Sequence, residues 1–204
     1  MNAHSVAAEP VQSTKRERIL RAAADVFARA GYFNAKVSEV AKEAGVADGT
    51  IYLYFENKEH LLVTIFREHA RKHLDLLRDE LSGVADSQER LRRSIRSYLT
   101  AMGRDRAIAI VFQVELRHSL KFMSQLSQQE VREYLEILRT VVEHGQQRGV
   151  FRGSLHPQFV AKAVFGILDE MVTSWVLSDK EYRLEETGEA VSDFVLRGLI
   201  RDDR

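Results

Sequence analysis

The chain has 204 residues, of which 45% are hydrophobic, and its 30 Lys and Arg residues balance 30 Asp and Glu residues. This length buries a core without covalent staples, and zero net charge argues against a protein that coats DNA without sequence preference. The chain has no cysteine, which excludes disulfides, thiolate metal sites and cysteine nucleophiles.

Two prolines, eleven glycines and long segments with a 3.6-residue apolar period predict an all-α protein of about nine helices. Residues 1–14 are small, polar and aperiodic, so we expect a disordered tail there. The tail lacks the apolar stretch of a signal peptide, and no apolar run approaches the roughly 20 residues of a membrane span. We therefore predict a cytoplasmic protein with no membrane partner.

The first predicted helix spans residues 15–30 and ends at Gly31. Its inner face consists of the apolar residues Ile19, Leu20, Ala23, Phe27 and Ala30. Lys15, Arg16 and Arg18 stand at its start, where positive charge either meets DNA phosphate or forms ordinary solvated surface.

A short helix and a tight turn follow. Val37, Val40, Ala41 and Ala44 recur at helical spacing and form one apolar face. Gly45 follows that face at the position of a left-handed C-cap.

A second short helix begins near Gly49, with Asp48 as its expected N-cap. Ile51 and Phe55, four residues apart, pack inward. The open side is left with the polar and larger side chains Thr50, Tyr52, Leu53 and Tyr54. Two short helices around a glycine turn, with a polar-aromatic outer face on the second, predict a helix-turn-helix that binds DNA.

The run AGVADGTIYLYFENKEHLL, residues 44–62, closely resembles the DNA-binding signature of TetR-family transcriptional regulators. Within that family it looks most like the branch of acyl-CoA-responsive repressors of fatty-acid degradation. The resemblance implies a three-helix DNA-binding domain over residues 15–60 and a helical ligand-binding and dimerisation domain over residues 61–204.

The basic residues and this resemblance together predict the DNA contacts. They are Lys15, Arg16, Lys36, Ser38, Gly49, Thr50, Tyr52, Tyr54 and Lys58. Hydroxyl and phenol groups donate to phosphate, and a Thr methyl packs on thymine. Two alternatives stay open: Tyr52 and Tyr54 as half-buried core aromatics, and Gly49 as a helix-packing residue.

The chain departs from the family pattern at two places. Where the family usually has Thr near the start of the second helix, this chain has Ala35 and Lys36; Lys36 then replaces the phosphate contact and Asn34 the cap. Position 48 often carries Lys or Arg, and Asp48 is better explained as an N-cap than as a cytosine reader.

A long fourth helix is predicted from Asn57 to Leu81, followed by a loop. His69 and His73, spaced i and i+4, resemble half of a metal site, but no third ligand is spaced for it. We predict no metal site and an exposed or hydrogen-bonded histidine pair.

The remaining helices are predicted at Gln88–Met102, Ala107–Val114, Gln125–Gln146, Phe159–Leu177 and Leu184–Ile200, with Pro157 opening the fourth of these. Glu115 and Arg117 lie beside a run that is apolar on all sides, which favours structural ion pairs. The last two helices have more apolar surface than one core needs, which favours a homodimer through Phe159–Leu177 and Leu184–Ile200.

The resemblance implies a long-chain acyl-CoA effector and no cofactor. An apolar tunnel is expected from Tyr98, Leu99, Met102, Ile108, Phe112, Leu116, Val141 and Phe165. Each of these residues is equally well explained as plain core. Arg104 and Arg106, at a helix break, are candidate anchors for the CoA phosphates.

The leading prediction is thus a dimeric repressor of fatty-acid degradation genes that binds a palindromic operator and is released by long-chain acyl-CoA. The fourth helix is the expected lever between pocket and DNA-binding domain. The alternative is a TetR-type repressor of another hydrophobic ligand, such as multiple drugs; the lack of an obvious acidic pocket lining disfavours it. No nucleophile–base arrangement, metal spacing or Gly-rich phosphate loop points to an enzyme.

Overall fold

The computed structural model describes residues 14–115 and 128–200, which form nine α-helices. Their bounds are α1 Lys15–Ala30, α2 Val37–Ala44, α3 Asp48–Tyr52, α4 Lys58–Leu81, α5 Ser87–Gly103, α6 Arg106–Ile110, α7 Gln128–Gln147, α8 Pro157–Leu177 and α9 Gly188–Leu199. A π-helical turn, Val111–Glu115, continues α6, and a 3₁₀ turn, Leu184–Thr187, precedes α9. The predicted all-α fold with an N-terminal helix-turn-helix is confirmed.

Helix α1 has the predicted bounds and begins with a capping box. The Thr14 hydroxyl accepts from the Glu17 backbone N–H at 3.2 Å, and the Glu17 carboxylate accepts from the Thr14 N–H at 2.8 Å. Each side chain satisfies a backbone donor that the first helical turn leaves open. Thr14, expected in the tail, is therefore part of the helix start. Residues 1–13 lie outside the described residues.

The turn of the helix-turn-helix ends α2 as predicted, with Gly45 in the left-handed region at φ 66°. Two predicted caps are wrong. Asn34 donates to the Ala30 carbonyl at the end of α1, and Glu39 closes the start of α2 by accepting from the Lys36 N–H. Asp48 is the first residue of α3 and caps nothing, although its carboxylate suits the positive end of the helix dipole.

Two hydrophobic cores hold the described residues together. The N-terminal core joins α1, α2, α3 and the first two turns of α4, and it includes Ile108 and Val111 from the α6 region. The larger core joins the rest of α4 with α5, α7, α8 and α9. Since the N-terminal core extends past residue 60 and includes α6, the division into domains at 15–60 and 61–204 stays a prediction.

The C-terminal helices follow the predicted pattern, with Pro157 as the first residue of α8. The predicted last helix is split, because residues 184–187 form a 3₁₀ turn before α9. The predicted side-chain roles of Glu115 and Arg117, and the start of the 125–146 helix, lie outside what the structure describes.

Candidate DNA-reading surface and effector cavity

The outer face of α3 is open to solvent. Tyr52 is 56% exposed, which argues against a core role for it, and Tyr54 is 40% exposed and packs against the buried Phe55 ring. Leu53, which the sequence placed on the open side, is 81% exposed, and Phe33, which it did not single out, is 67% exposed. We call Phe33, Tyr52, Leu53 and Tyr54 the reading surface. Adjacent exposed apolar side chains on a small domain indicate a contact surface.

Gly49 faces open space. A β-carbon placed on this residue would meet no atom within 4 Å, and its φ is not positive. Neither helix packing nor backbone strain within the protein therefore requires glycine here.

Lys58 is bound inside the protein. Its ammonium donates to the carbonyls of Tyr32, Phe33 and Ala35 at 2.7, 3.2 and 3.0 Å. It also lies 4.7 Å from the centre of the Tyr32 ring. An ammonium has three donors and all three are used. Lys58 thus ties the start of α4 to the loop after α1, and its predicted phosphate contact stays a prediction.

Arg16 also points toward the protein. Its guanidinium pairs with Glu68 at 2.5 Å and lies 5.6 Å from the Phe55 ring centre, which fastens α1 to α4. The other predicted DNA-contacting side chains, Lys15, Lys36 and Ser38, are exposed, and Thr50 is half-buried.

A mostly apolar cavity lies between α4, α5, α7, α8 and the π-helical turn, with a volume of about 180 Å³. Four of the predicted lining residues are there: Tyr98, Met102, Phe112 and Phe165. The sequence missed the others, which are Phe66, Ala70, His73, Leu74, Gln113, Glu130, Val131, Tyr134 and Asp169. Phe66 and Leu74 had the right helical spacing but were assigned to the core alone.

Several predicted pocket residues lie elsewhere. Leu99 and Val141 are buried in the larger core, and Ile108 packs in the N-terminal core. Leu116 lies outside the described residues.

Neither candidate arginine anchor reaches the cavity. Arg106 donates to the Val176 and Ser178 carbonyls at 2.9 and 3.1 Å and lies over the Trp175 ring, which secures the end of α8. Arg104 lies in a separate groove between α4 and α5, together with Arg92, Arg93 and Arg96.

Polar groups interrupt the apolar lining at defined points. Gln113 accepts from the Thr173 hydroxyl at 3.1 Å. Glu130 is 4% exposed, and its Oε2 has no hydrogen-bond partner, while Oε1 lies 3.7 Å from Arg71. This acidic side chain in the cavity wall was not predicted from the sequence. A drug-type ligand was disfavoured because no acidic lining was expected.

His73 packs against the rings of Tyr98 and Tyr134, each with centroids 5.9 Å away. Its Nε2 is buried without a hydrogen-bond partner. Burial lowers the pKa of His73 to about 4, so the ring is neutral at physiological pH. His69 instead faces the Ile65 carbonyl at 3.0 Å, which places the two histidines in different environments.

The cavity and the reading surface share structural elements. Phe66 on α4 and Phe112 on the π-helical turn both line the cavity, and Phe112 packs against both cores. Arg21 of α1 pairs with Asp105, whose other oxygen caps α6 by accepting from the Ile108 N–H. Helices α4 and α6 therefore connect the cavity wall to the N-terminal core.

An exposed helix-turn-helix joined through two helices to a mostly apolar cavity defines a ligand-responsive DNA-binding regulator. Among the described residues, no group of three or more His, Asp or Glu side chains is placed to hold a metal ion. No helix in the described ranges is long and apolar enough to cross a membrane.

Comparison with known families agrees with this class. The family of bacterial regulatory proteins of the TetR type matches residues 19–65, and the family described as YsiA-like protein, C-terminal region, matches residues 66–198. The chain belongs to the TetR family of transcriptional regulators. These are DNA-binding regulators rather than enzymes, which confirms the prediction that the chain is not an enzyme.

Among the relatives, the fatty acid metabolism regulator protein of Bacillus subtilis (strain 168) is 35% identical over 91% of this chain and 95% of its own length. The solved fatty acid degradation regulator FadR from Bacillus halodurans is 36% identical, covers 90% of this chain and 98% of that one, and superposes with a TM-score of 0.83. FadR from Bacillus subtilis, solved in complex with stearoyl-CoA, is 34% identical with a TM-score of 0.83, over 89% of this chain and 98% of that one.

Proposed function

We propose that the protein is a repressor of fatty-acid degradation genes that binds a palindromic operator as a homodimer and is released by long-chain acyl-CoA. The observation that carries this proposal is the apolar cavity. Phe66 and Phe112 line it and also belong to the elements that connect it to the N-terminal core. The fatty-acid relatives, one of them solved with stearoyl-CoA, support the ligand class. The protein then acts in the cytoplasm, on chromosomal DNA.

We propose that DNA is contacted through the exposed side of the helix-turn-helix. Tyr52, Tyr54 and Thr50 supply hydroxyl groups for phosphates and base edges, and Gly49 lets the backbone approach the duplex. Lys15, Lys36 and Ser38 meet the backbone of the DNA from the starts of α1 and α2. Leu53 is added to this set because it is exposed between the two tyrosines in the chain, and Phe33 because it is exposed in the loop before α2.

The proposed dimer forms through α8 and α9. Phe159 and Leu177 on α8 and Phe194 on α9 are large apolar side chains left 61%, 70% and 68% exposed. Two such helices from each subunit form a four-helix bundle that buries these side chains. A two-fold dimer places two recognition helices about one DNA turn apart, which matches a palindromic operator.

Release follows from the size of the cavity. At about 180 Å³ it is smaller than the roughly 300–1,000 Å³ of common ligand sites. A long acyl chain therefore has to separate α4 from α7 and α8, and the first two turns of α4 pack in the N-terminal core. A ligand that binds the enlarged conformer better shifts the population away from the conformer that fits DNA.

The proposal is tested by operator release. The protein is bound to DNA from upstream of its own gene at fixed salt, and acyl-CoAs of several chain lengths are titrated beside free fatty acids and free CoA. Release by long-chain acyl-CoA, with little effect of free CoA, is the expected result. Binding that no acyl-CoA disturbs would leave a TetR-type regulator and remove the fatty-acid assignment.

The Glu130 carboxylate favours one alternative, a repressor that responds to hydrophobic cations. A buried carboxylate oxygen without a partner attracts a cationic or hydrogen-bond-donating ligand. The same release assay with an aromatic cation such as ethidium or rhodamine 6G decides this point. Release by the cation, abolished in Glu130→Gln, together with indifference to acyl-CoA would select the alternative.

A further inference from the structure

Two consecutive residues at the start of α6 bind two different helices. Asp105 pairs with the guanidinium of Arg21 on α1, while its other oxygen caps α6. Arg106 donates from Nη2 to the backbone carbonyls of Val176 and Ser178, at 2.9 and 3.1 Å, at the end of α8. The start of α6 is therefore attached to α1 through one side chain and to α8 through the next.

The attachment to α8 uses groups that the helix itself leaves open. The last four carbonyls of an α-helix have no partner within the helix, and they lie at the negative end of its dipole. Arg106 supplies a positive charge and two hydrogen bonds there. Its guanidinium also lies 5.2 Å from the centre of the Trp175 ring, and Trp175 Nε1 in turn donates to the Tyr182 carbonyl at 2.9 Å. The position of this helix end thus depends on Arg106.

The attachment to α1 joins α6 to the N-terminal helices. Ile108 and Val111, from α6 and the π-helical turn, are almost completely buried in the N-terminal core. Arg21 is oriented by its own helix, because Asp25 accepts from its guanidinium through both carboxylate oxygens, at 2.9 and 2.7 Å. Asp105 adds a charged pair between the two helices. Helix α6 therefore belongs to the same packed unit as the helix-turn-helix.

The end of α8 also lies at the proposed dimer surface. Leu177, between the two residues whose carbonyls bind Arg106, is exposed, and it is one of the apolar side chains proposed to meet the second subunit. Helix α4 already joins the two cores, since it passes from one into the other. A single connecting helix leaves the N-terminal helices free to pivot about it, whereas a second attachment fixes their direction. Helix α6 is this second attachment, and it begins beside the dimer surface.

We infer that Asp105 and Arg106 are positioning residues, which set the separation of the two recognition helices in the dimer and so the half-site spacing that the protein accepts. The inference rests on the proposed dimer through α8 and α9 and on its palindromic operator. A two-fold dimer matches DNA only when its recognition helices stand about one helical turn apart. Asp105 and Arg106 act on that distance through α1 and α8, and they need no contact with DNA.

The inference is tested with operators that differ in spacing alone. The probes are fluorescein-labelled duplexes of the operator upstream of the protein's own gene, unchanged or with one or two base pairs inserted at its centre. Each inserted pair separates the half-sites by about 3.4 Å and rotates one relative to the other by about 35°. We expect the wild type to bind the unchanged operator about tenfold or more tightly than the two-base-pair insertion, since misplaced contacts are lost.

Arg106→Met keeps an unbranched side chain over Trp175 but removes the hydrogen bonds to α8. Asp105→Asn keeps an acceptor for the cap of α6 but removes the charge that pairs with Arg21. In both variants the preference for the unchanged operator should fall to about threefold or less, because the N-terminal helices of the dimer adopt more separations. Arg106→Lys, whose ammonium has donors for the same carbonyls, should keep the wild-type preference. Arg139→Met, which removes an arginine from surface ion pairs within α7, is the control and should behave like the wild type.

Two further measurements separate positioning from a general loss of structure. A duplex with one half-site has no spacing to match, so the variants should bind it as tightly as the wild type does. Sedimentation equilibrium should show dimers throughout. An unchanged spacing preference in Arg106→Met or in Asp105→Asn overturns the role of that residue, and so does an equal loss of affinity for every duplex, including the half-site. Arg106→Lys that behaves like Arg106→Met overturns the role of the two hydrogen bonds.

The wild-type measurements judge the proposed function separately. A wild type that is monomeric, or that binds every spacing equally, rejects the palindromic dimer and this inference with it. A dimeric wild type whose spacing preference is retained by Arg106→Met and Asp105→Asn leaves the proposed function standing and rejects only the positioning role.

Discussion

Phe66 and Phe112 pack with their ring centroids 4.7 Å apart, one from α4 and the other from the π-helical turn after α6. Both rings line the cavity. Because α4 and α6 both reach the N-terminal core, a ligand that separates these two rings moves both connections to the reading surface. The pair thus joins the cavity to both helices that reach the N-terminal core, which carries the proposed operator contacts.

Phe112→Ala should weaken this link. We expect the variant to bind the operator like the wild type but to need about tenfold more acyl-CoA for half-release, within the 5- to 150-fold range of common allosteric couplings. Fluorescence anisotropy of a labelled operator measures both quantities. Phe165→Ala is the control. It removes a cavity ring that packs against Tyr98 and Tyr134, so it reports the loss of a ligand contact without the loss of the Phe66–Phe112 pair. An unchanged half-release concentration in Phe112→Ala would show that coupling runs elsewhere.

Gly49→Ala should separate folding from DNA binding. Nothing in the protein lies within 4 Å of the added methyl group. The free energy of unfolding should therefore stay the same or rise by up to about 1 kcal/mol, because Ala favours the helix over Gly by that amount. Operator affinity should fall, since the methyl group lies where the DNA backbone approaches. Gly153→Ala adds the same group in open space far along the chain and should change neither. Full operator affinity in Gly49→Ala would place the duplex elsewhere.

Lys58→Met should destabilise the N-terminal helices. The substitution removes three hydrogen bonds from a charged donor and leaves the carbonyls of the loop after α1 without it, so we expect a loss of about 2 kcal/mol in the free energy of unfolding. Urea denaturation measures this loss. Lys36→Met is the control, because the Lys36 side chain is exposed and should affect DNA binding alone. Weaker DNA binding of Lys58→Met at unchanged stability would restore the phosphate contact predicted from the sequence.

Acid should destabilise the protein through His73. Its pKa is about 4 in the folded state and about 6.5 when unfolded, so below pH 6.5 the unfolded chain takes up a proton that the folded chain does not. The stabilising difference is complete above pH 6.5 and is lost as pH falls toward 4, by about 3 kcal/mol in total. Urea unfolding at a series of pH values should show this slope, and His73→Phe should lack it. Parallel curves for the two proteins would refute the assignment.

Phe194→Glu should break the proposed dimer. The side chain is 68% exposed on α9, and a carboxylate there cannot be buried against a second copy without large cost. Sedimentation equilibrium should show a monomer with weak operator binding. Leu53→Glu, at a position that is 81% exposed on the reading surface, should stay dimeric while losing operator affinity. A dimeric Phe194→Glu would move the interface away from α9.

The helices and their inner faces were predictable because their signals are local. Apolar spacing and Gly31 predicted the bounds of α1, and Gly45 predicted the end of α2. The internal partners of two basic residues that were predicted to bind phosphate could not be predicted, because these partners are distant in sequence. Lys58 meets a carbonyl 26 positions away and Arg106 one 70 positions away, and no local pattern encodes such partners.

The cavity was only partly predictable. Phe112 and Phe165 were expected to line it, but Leu99 and Val141, with the same chemistry and spacing, fill the core instead. A lining residue differs from a core residue only in the space left by helices distant in sequence. Glu130 and His73 line the cavity because α4 and α7, which are distant in sequence, lie side by side in the fold.

The inward positions of Arg16 and Lys58 have a consequence for ionic strength. Each phosphate contact by a cation adds about 0.9 to the slope with which the logarithm of DNA affinity falls against the logarithm of salt concentration. With these two side chains engaged by Glu68 and by three carbonyls, each subunit loses about 1.8 from that slope. We therefore expect operator binding through the proposed reading surface to depend more on aromatic and hydroxyl contacts, and to persist at salt concentrations that remove proteins bound mainly through charge.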